Sequence, residues 1–529
     1  MLLLPAAEAQ DQGLTLSEGA LERLSQGALI PYLKEHPKQA PERFEEIIKE
    51  PEEAEGGDVA RVSAQALDAP PGVGVRLNDD NLGLPQNEES ITACRTNPDV
   101  VLGGTNDFRG LLDPKENFTG WHFSDDGGQS LTNEGLLPPV KIDGRGVPSG
   151  GDPVTVADNG CNLYAGSLNY DPETFEPNGI GVYRTTPETL ASCTGGNDPA
   201  CWPTRRAVAV GKPDHFLDKE WIYVGPNGSG GKVVWAVYTD FGPGTNKVPF
   251  TATIKAVRCK ANLNKCTDPI RISGDDRDVQ FGDVTIDSEG RVYITWSEIR
   301  GELEGRPQTF IHKLRTAAPG STNFGPERIV ATESKAIPFG GILNANDFRV
   351  ATYPKNEVRL IDGKPRVFVV WDACQERVFE DSICEAPEIK LKTSDNLGAS
   401  WSPVTVVSEA GSNYFPTISS DSAGPNVAIA YFTNRYDERF QNLQDIELAT
   451  LDPATSTVTN RQRLTSLSNN SESDPLLGGF FIGDYIEVFA LENSALVHYN
   501  ANYRQTQLLE SGLPVPQQDN YLVKASIGP

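Results

Sequence analysis

Apolar and polar residues alternate along most of the chain, and the alternation is organised in seven similar units. Each unit begins with a short strand-like stretch, usually led by a polar residue, and a turn connects it to a second, more apolar stretch. The units begin at Glu88, Asp152, Glu220, Asp283, Arg349, Phe415 and Asp484. Successive starts are 64, 68, 63, 66, 66 and 69 residues apart. This nearly constant period indicates a repeat architecture.

A period of about 65 residues accommodates four antiparallel strands with their loops, which is one blade of a β-propeller. The sequence therefore predicts an all-β fold, a seven-bladed β-propeller with four-stranded antiparallel blades. The last unit has three recognisable strands, near 484–490, 495–500 and 520–527. We expect the strand at 73–77 to supply the fourth and to close the ring, which removes exposed sheet edges.

The first part of the chain has a different pattern, with apolar residues at helical spacing and prolines that divide it into short helices. The apolar positions are Leu21, Leu24, Ala28, Leu29, Tyr32, Leu33, Phe44, Ile47 and Ile48. We interpret residues 1–9 as a signal-peptide remnant, 10–72 as a helical arm and linker, and 73–529 as the propeller. The alternative for 1–9 is a terminus without a targeting role. The arm is predicted to pack on the propeller or to dock on a neighbour in a surface assembly.

The charge balance is strongly acidic. The chain has 46 Lys and Arg against 73 Asp and Glu, a formal charge of −27. Such a surface repels phosphate backbones and anionic lipid headgroups, so we expect no nucleic-acid partner. No stretch approaches the roughly 18 consecutive apolar residues of a membrane-spanning helix, so we expect no membrane span.

Eight cysteines are present, and six of them form three close pairs in sequence. The close pairs are Cys193 with Cys201, Cys259 with Cys266, and Cys374 with Cys384, which leaves Cys94 and Cys161 as partners by elimination. The alternative is metal ligation, but CxxC spacing and histidine pairs are lacking. Four disulfides predict export to an extracellular, cell-surface or periplasmic location.

Two segments share a turn motif. Ser124–Leu131 reads SDDGGQSL and Ser394–Trp401 reads SDNLGASW. Asp or Asn in such a turn caps backbone N–H groups, and Gly allows positive φ. Both segments resemble the Asp-box (BNR) repeat of sialidase-like propellers, in which the box is structural. Other stretches, at 86–91, 218–222 and 482–486, look like exported bacterial BNR proteins.

Candidate functional residues follow from propeller geometry. An inner strand starts, and the antiparallel second strand ends, on the same face of the disc. This face is expected to gather Glu88, Asp152, Glu220, Asp283, Arg349 and Asp484, with arginines such as Arg435 and Arg504 following the second strands. One interpretation is structural, with the acids accepting hydrogen bonds from neighbouring loops. Another is a calcium site formed by Glu88, Asp152, Asp283 and Asp484.

The resemblance to sialidases implies a catalytic interpretation. Tyr485 would be the nucleophile, Glu220 its partner and Asp152 the acid. Arg349, Arg435 and Arg504 would hold a substrate carboxylate, with Asp283 and Asp484 as further ligand-binding residues. The chain departs from that family, because sialidases resemble six-bladed discs with an Arg-Ile-Pro start, whereas seven units and Glu88-Glu89-Ser90 occur here. A two-carboxylate glycosidase, as in seven-bladed Asp-box xyloglucan hydrolases, is a further alternative.

The functional prediction is a secreted or cell-surface Asp-box propeller that acts as a binding module for carbohydrate or a protein partner, with Ca²⁺ as a candidate stabilising ion. The alternative is a glycoside hydrolase of the sialidase-like type. A pocket with a carboxylate pair or an arginine-clamped tyrosine would favour the enzyme.

Overall fold

The structure is a computed structural model. It describes residues 72–528 except 114, 246–247, 275–277, 302–307, 339, 379–382, 478, 480 and 508–513, together with Leu24, Ala28, Leu29 and Tyr32. Structural statements below concern these residues. The predicted signal-peptide remnant at 1–9 and most of the predicted arm and linker at 10–72 lie outside them.

The first half of the described chain forms one short strand, four larger sheets and one hairpin. The strand is β1 (Val75–Arg76). Sheet one contains β2 (Gln86–Cys94), β3 (Asn97–Asp107), β4 (Thr119–Ser124) and β5 (Asn133–Leu136), followed by the hairpin β6 (Val140–Ile142) and β7 (Arg145–Val147). Sheet two contains β8 (Val154–Ala157), β9 (Leu163–Tyr170), β10 (Asn178–Thr185) and β11 (Thr204–Val210). Sheet three contains β12 (Phe216–Pro226), β13 (Lys232–Thr245), β14 (Val248–Lys260) and β15 (Ile270–Arg271). Sheet four contains β16 (Val279–Ile286), β17 (Val292–Arg300), β18 (Thr309–Ala317) and β19 (Arg328–Glu333).

The second half adds three larger sheets and a small one. The strands β20 (Gly341–Leu343) and β21 (Asn346–Val350) precede β22 (Lys355–Ile361), β23 (Lys364–Ala373), β24 (Glu376–Val378), β25 (Ile383–Glu385), β26 (Glu388–Ser394) and β27 (Thr405–Val406). Sheet five is β22, β23, β26 and β27, whereas β20, β21, β24 and β25 form the small mixed sheet. Sheet six contains β28 (Asn413–Ser420), β29 (Val427–Thr433), β30 (Asp445–Leu451) and β31 (Val458–Arg463). Sheet seven contains β32 (Glu487–Ala490), β33 (Ser494–Gln507), β34 (Pro514–Ser526) and β1. Helical segments are α1 (Pro187–Ser192) and the 3₁₀ turns Phe108–Leu112, Pro199–Cys201 and Ser471–Ser473.

The sheets are arranged around a centre. In sheets one to seven, all strand pairs among the described residues are antiparallel. The inner strands are β2, β8, β12, β16, β22, β28 and β32. Each contacts the next, and β32 contacts β2. At this junction β1 pairs with β34, so that the two ends of the described chain share sheet seven. This arrangement is that of a β-propeller.

Neighbouring sheets pack face to face, and this buries the second strands on both sides. All seven residues of β29 are buried, and in β17 only the last residue is exposed. These strands are rich in β-branched and aromatic residues, which suit a pleated, enclosed surface. The core therefore lies between the sheets rather than at the centre of the disc.

One predicted inner strand is wrong. The fifth unit was expected to start its inner strand at Arg349 and to continue to Tyr353, but the inner strand is β22, which begins at Lys355. Arg349 lies instead in β21, which pairs with β20 in the small mixed sheet. An inserted hairpin directly before the inner strand has the same alternating pattern, so periodicity alone could not separate the two.

The four predicted disulfides are confirmed. Cys94 is bonded to Cys161, and the other three bonds join the cysteines that are close in sequence. Cys94 ends β2 in sheet one and Cys161 lies in the loop between β8 and β9, so this bond joins sheets one and two. Four disulfides indicate an oxidising environment. No helix within the described residues is long and apolar enough to cross a membrane.

Both predicted turn motifs contain the expected hydrogen bonds. In the first, the Asp126 carboxylate accepts from the backbone N–H groups of Gln129 at 2.8 Å and Ser130 at 3.0 Å. In the second, the Asn396 side-chain oxygen accepts from the backbone N–H of Ser400 at 2.9 Å. Gly398 adopts a φ of 80°. The motifs therefore stabilise hairpin turns through local capping.

Candidate functional site

A cavity of about 40 Å³ lies where the inner strands begin, near the centre of the ring. It is lined by Asp152, Lys219, Glu220, Trp221, Phe281, Gly282, Asp283, Tyr353, Pro354, Lys355, Asp484 and Tyr485. A space of this size holds a few water molecules. Its wall combines carboxylic acids, two amines and aromatic rings, which is the composition of a polar ligand site.

A repeated backbone irregularity turns side chains toward this cavity. Five residues in the first turns of inner strands, or just before them, have positive φ: Glu88 at 61°, Asp152 at 53°, Lys219 at 53°, Phe281 at 63° and Phe415 at 52°. In β2, β12, β16 and β28 the strand register shifts at this point. Such bulges redirect side chains that regular alternation would place elsewhere, and left-handed non-glycine residues cluster at functional sites.

An ion-pair cluster crosses the ring beside the cavity. The Asp484 carboxylate accepts hydrogen bonds from Lys219 Nζ at 3.0 Å and from Arg349 Nε at 3.1 Å. A further bond joins Arg349 Nη2 to the same carboxylate. All three side chains are buried. Lys219 lies in β12 of sheet three, Arg349 in β21, and Asp484 in the loop directly before β32. Burial by itself raises the pKa of Asp484, but Arg349 and Lys219 outweigh it and hold that pKa below its usual range.

The surroundings raise the pKa values of the other acids in this region. Burial raises the pKa of Glu88, and the negative charge of Asp484 raises it further. Burial raises the pKa of Asp152 well above its usual range, with Glu88 and Asp218 adding to the effect. The pKa of Glu220 is likewise raised well above normal by burial and then by Asp152. Among the described residues, neither carboxyl oxygen of Glu220 has a hydrogen-bond partner.

Aromatic rings form another part of the wall. Phe281 and Tyr353 are stacked with ring centroids 3.8 Å apart, and Trp221 meets Tyr485 edge-on at 5.5 Å. Lys355 Nζ lies 2.9 Å from the centroid of the Trp221 ring, a cation–π contact. Burial lowers the pKa of Lys355 to about 8, although the charges of Asp283 and Glu487 oppose the shift.

The structure brings most of the predicted site residues together. Asp152, Glu220, Asp283, Asp484 and Tyr485 all line the cavity. Arg349 and Glu88 do not line the cavity, but both contact Asp484. Arg349 Nε donates to the Asp484 carboxylate, and the Asp484 backbone N–H donates to Glu88 Oε1 at 3.2 Å.

Two predicted arginines do not belong to this site. Arg435 pairs with Glu409 and Glu447 beyond the second strand of sheet six. Arg504 pairs with Asp519 at the junction that closes the ring. The expectation that these arginines join Arg349 around one ligand carboxylate is therefore corrected. Arg504 lies inside β33 and Arg435 lies two residues after β29, and neither position reaches the cavity.

Tyr485 and Glu220, the predicted tyrosine–glutamate pair, both line the cavity, but among the described residues no hydrogen bond joins the tyrosine hydroxyl to the Glu220 carboxyl. The Tyr485 hydroxyl donates to the backbone carbonyl of Pro153 at 3.0 Å. Burial raises the pKa of Tyr485 well above normal, and Glu88, Asp152 and Glu220 raise it further. A sialidase-type nucleophile needs the opposite, a hydroxyl that is readily deprotonated by a neighbouring base.

Two of the four acids predicted for calcium, Asp283 and Asp484, are held by protein groups. Asp283 accepts from the Asn356 backbone N–H and Nδ2, both at 2.6 Å, and Asp484 is held by its two cations. Within the described part of the chain, no three Asp, Glu, His or Cys side chains are grouped as metal ligands. A calcium site formed by Glu88, Asp152, Asp283 and Asp484 stays a prediction.

Sequence reasoning missed Lys219, Lys355, Trp221, Phe281 and Tyr353. Lys219 precedes a predicted acid directly, and the bulge allows consecutive residues to face the same cavity. A search for adjacent charged pairs at each inner-strand start would have found it. Lys355 was missed because the fifth inner strand was placed six residues too early.

No protein-family profile and no curated protein matches the chain in sequence. Three solved structures have a similar arrangement of strands. A protein of unknown function from Dyadobacter fermentans has 11% identity and a TM-score of 0.44, over 86% of this chain and 99% of that one. An ulvan lyase has 6% identity and a TM-score of 0.48, and the match covers 86% of this chain and 96% of the lyase chain. An alpha-L-arabinofuranosidase of Fusarium graminearum has 11% identity and a TM-score of 0.42, and the match covers 74% of this chain and 99% of the enzyme chain. These similarities concern fold and assign no activity.

Proposed function

We propose that the chain is an exported seven-bladed β-propeller of the Asp-box type that binds a carbohydrate at its central cavity. The seven antiparallel four-stranded sheets, with inner strands in a closed order, support the blade count. The two capped turns support the Asp-box assignment, and the four disulfides support export to an extracellular, cell-surface or periplasmic location.

The observation that carries the ligand class is the unpartnered Glu220 carboxyl inside a wall that also carries aromatic rings. A buried polar group without partners costs free energy, and native proteins keep such groups mainly for function. Sugar hydroxyls donate to and accept from carboxyl groups, while the apolar face of a sugar ring packs on Trp and Tyr. Glu220, Asp152, Trp221 and Tyr353 provide both kinds of contact.

Binding is tested by titrating a panel of neutral and acidic oligosaccharides, with and without calcium, in an isothermal calorimeter. We expect Glu220→Gln to weaken binding by about tenfold, the value of one or two hydrogen bonds. Glu357→Gln is the matched control, since Glu357 is a buried inner-strand carboxyl that does not line the cavity, and its affinity should stay within about twofold of wild type. Absence of binding across the panel, or equal effects of the two variants, would contradict the proposal.

A glycoside hydrolase is the second candidate, and the raised pKa values of Glu220 and Asp152 favour it specifically. A general acid must hold its proton at neutral pH, and burial shifts the pKa values of both groups in that direction. Asp484 is the ionised carboxylate in the same cavity. A retaining or inverting mechanism requires one protonated and one ionised carboxyl.

Hydrolysis is measured on the same sugars as release of reducing ends. Turnover that is lost in Glu220→Gln and Asp152→Asn but kept in Tyr485→Phe would establish a two-carboxylate hydrolase. Loss in Tyr485→Phe as well would favour sialidase-like chemistry. Binding without turnover would support the binding module and contradict the proposed hydrolase.

A further inference from the structure

Two amines line the cavity, and the protein holds them in different ways. Lys219 Nζ donates a hydrogen bond to the Asp484 carboxylate at 3.0 Å. Lys355 Nζ makes no hydrogen bond to the described residues, and the ion pair that it forms with Asp283 Oδ1 is long, at 3.8 Å. Both side chains are buried. Of the two, Lys355 is therefore the amine that a molecule in the cavity can engage.

The surroundings of Lys355 favour a reactive amine. Its Nζ lies 2.9 Å from the centroid of the Trp221 ring, and burial lowers its pKa to about 8 against the opposing charges of Asp283 and Glu487. At neutral pH about a tenth of such amines carry no proton, compared with far fewer than a hundredth for an ordinary lysine. The unprotonated amine is the nucleophile, and lysines in desolvated pockets react in this form with carbonyl compounds.

A carboxyl group is fixed beside this amine. Asp283 Oδ2 accepts hydrogen bonds from the Asn356 backbone N–H and from Asn356 Nδ2, both at 2.6 Å, whereas Oδ1 lies toward Lys355. Asn356 is fixed in turn, because Thr285 Oγ1 donates to its Oδ1 at 2.6 Å and its Nδ2 donates to Thr295 Oγ1 at 3.0 Å. A nucleophile, a neighbouring group that can take its proton and a third group that orients this neighbour are the parts of a nucleophilic site. Such contacts are often long before a substrate is bound.

The wall and the size of the cavity indicate a class of carbonyl compound. An amine that condenses with an aldehyde becomes an iminium group, which carries one positive charge. The Trp221 ring and the acids Asp283 and Glu487 can stabilise this charge as they stabilise the ammonium group of Lys355. A cavity of about 40 Å³ has room for only a few non-hydrogen atoms. The fit is therefore best for a neutral aldehyde of two or three carbons.

We propose that Lys355 is a covalent binding site for small neutral aldehydes and forms an imine with them, while Asp283 carries protons between the nitrogen and the leaving oxygen. The Nζ lone pair attacks the carbonyl carbon, and Asp283 Oδ1 transfers a proton from the nitrogen to the oxygen, which gives a carbinolamine. A second proton, taken from solvent, reaches the hydroxyl through the same carboxyl. The C–O bond then breaks, water leaves, and the iminium group remains. No oxidant or reductant is consumed, and the proposal does not rest on carbohydrate binding, because it requires only a carbonyl group.

The reaction is tested on the full chain at pH 7 with glycolaldehyde and cyanoborohydride, which reduces an iminium group to a stable secondary amine. Peptide mass spectrometry measures the labelling rate of each lysine. Lys355 should be labelled about tenfold faster or more than the exposed Lys141, because a larger fraction of its amine is unprotonated. Lys219, with a side chain 8% exposed and held by an acid, should stay slow and reports whether the ring is closed. Benzaldehyde, which is too large for the cavity, should label Lys141 but not Lys355.

Asp283→Asn separates proton transfer from a simple charge effect. The charge of Asp283 raises the pKa of Lys355, so its removal leaves more unprotonated amine and would speed labelling if charge were its only contribution. We expect labelling of Lys355 to become slower by about tenfold or more instead, because asparagine cannot carry the proton. Glu357→Gln is the matched control, since Glu357 is a buried inner-strand carboxyl that does not line the cavity, and labelling should stay within about twofold of wild type.

Wild-type labelling of Lys355 no faster than that of Lys141 overturns the proposal, and this comparison needs no variant. Faster labelling of Lys355 in Asp283→Asn, with Lys219 still slow, overturns the role of Asp283. Oligosaccharide binding without aldehyde labelling would support the carbohydrate and overturn the imine. Labelling of Lys355 without oligosaccharide binding would support the imine and overturn the carbohydrate.

Discussion

Asp484→Asn is expected to destabilise the fold by about 3–5 kcal/mol, because it leaves the buried charges of Lys219 and Arg349 without their anion. The two cations come from sheet three and β21, so the loss affects the centre of the ring rather than one sheet. The free energy of unfolding in urea at pH 7 measures the effect. Asp395→Asn is the matched control. Asp395 pairs with Arg366 at the surface with 61% of its side chain exposed, and its loss should cost about 1 kcal/mol or less.

The same carboxylate makes stability depend on pH. The folded-state pKa of Asp484 is lowered below its unfolded value of 3.8, so its stabilisation is complete above that value and is lost as the pH falls through the folded-state pKa. The difference in the free energy of unfolding between wild type and Asp484→Asn should therefore become smaller in strong acid.

Glu88 lies next to Asp484 and becomes easier to ionise once that charge is gone. We therefore expect Glu88→Gln to add to the loss when it is combined with Asp484→Asn. A loss of unfolding free energy in Asp484→Asn no larger than that in Asp395→Asn would contradict the central role of this ion-pair cluster.

Removal of the Cys94–Cys161 disulfide is expected to be the second large effect. The bond closes a loop with a sequence separation of 67, and loop-closure entropy then predicts a loss of about 4 kcal/mol in the double alanine variant. The bond also joins sheets one and two, which have no other covalent link except the chain.

The matched control is the double alanine variant of Cys193 and Cys201, whose separation is only 8. The same relation predicts a loss of about 2.5 kcal/mol there. Guanidinium unfolding of both variants, with the other disulfides kept oxidised, compares the two losses. Equal losses would show that local strain or packing, rather than chain entropy across the two sheets, decides the value of the bond.

The arrangement of charges explains why the cavity is chemically distinct. Three buried cations, Lys219, Arg349 and Lys355, lie among a larger number of buried acids. The charges of Arg349 and Lys219 lower the pKa of Asp484, whereas burial raises the pKa of Glu220 well above its usual range. Carboxyl groups whose pKa values are shifted in opposite directions lie in one small space, which suits recognition of hydroxyl groups.

Much of the candidate site could be predicted from the repeat. Asp152, Glu220, Asp283 and Asp484 start the second, third, fourth and seventh units, and all four line the cavity. The arginines were predicted less well. Arg435 follows a second strand and Arg504 lies within one. Sequence gives no distance across a ring, and each arginine has a nearer acid. The fifth inner strand was misplaced because an inserted hairpin imitates it.

The sequence by itself determined what is periodic or local. The repeat period predicted four-stranded antiparallel sheets, because a unit of about 65 residues accommodates four consecutive strands with their loops. The three short cysteine spacings predicted three disulfides and left one pair for the fourth. Turn motifs and their glycines predicted local capping, since the atoms involved lie within a few residues of each other.

Only the tertiary structure decided which distant groups meet. Asp484 is separated by 265 residues from Lys219 and by 135 from Arg349, and no pattern along the chain links them. The bulges turn consecutive residues toward one cavity, which simple alternation does not foresee. The contact of Leu24 with Arg349 spans 325 residues. Such contacts arise because a closed ring brings its inner-strand starts together at the centre, where burial then sets the charge of each group.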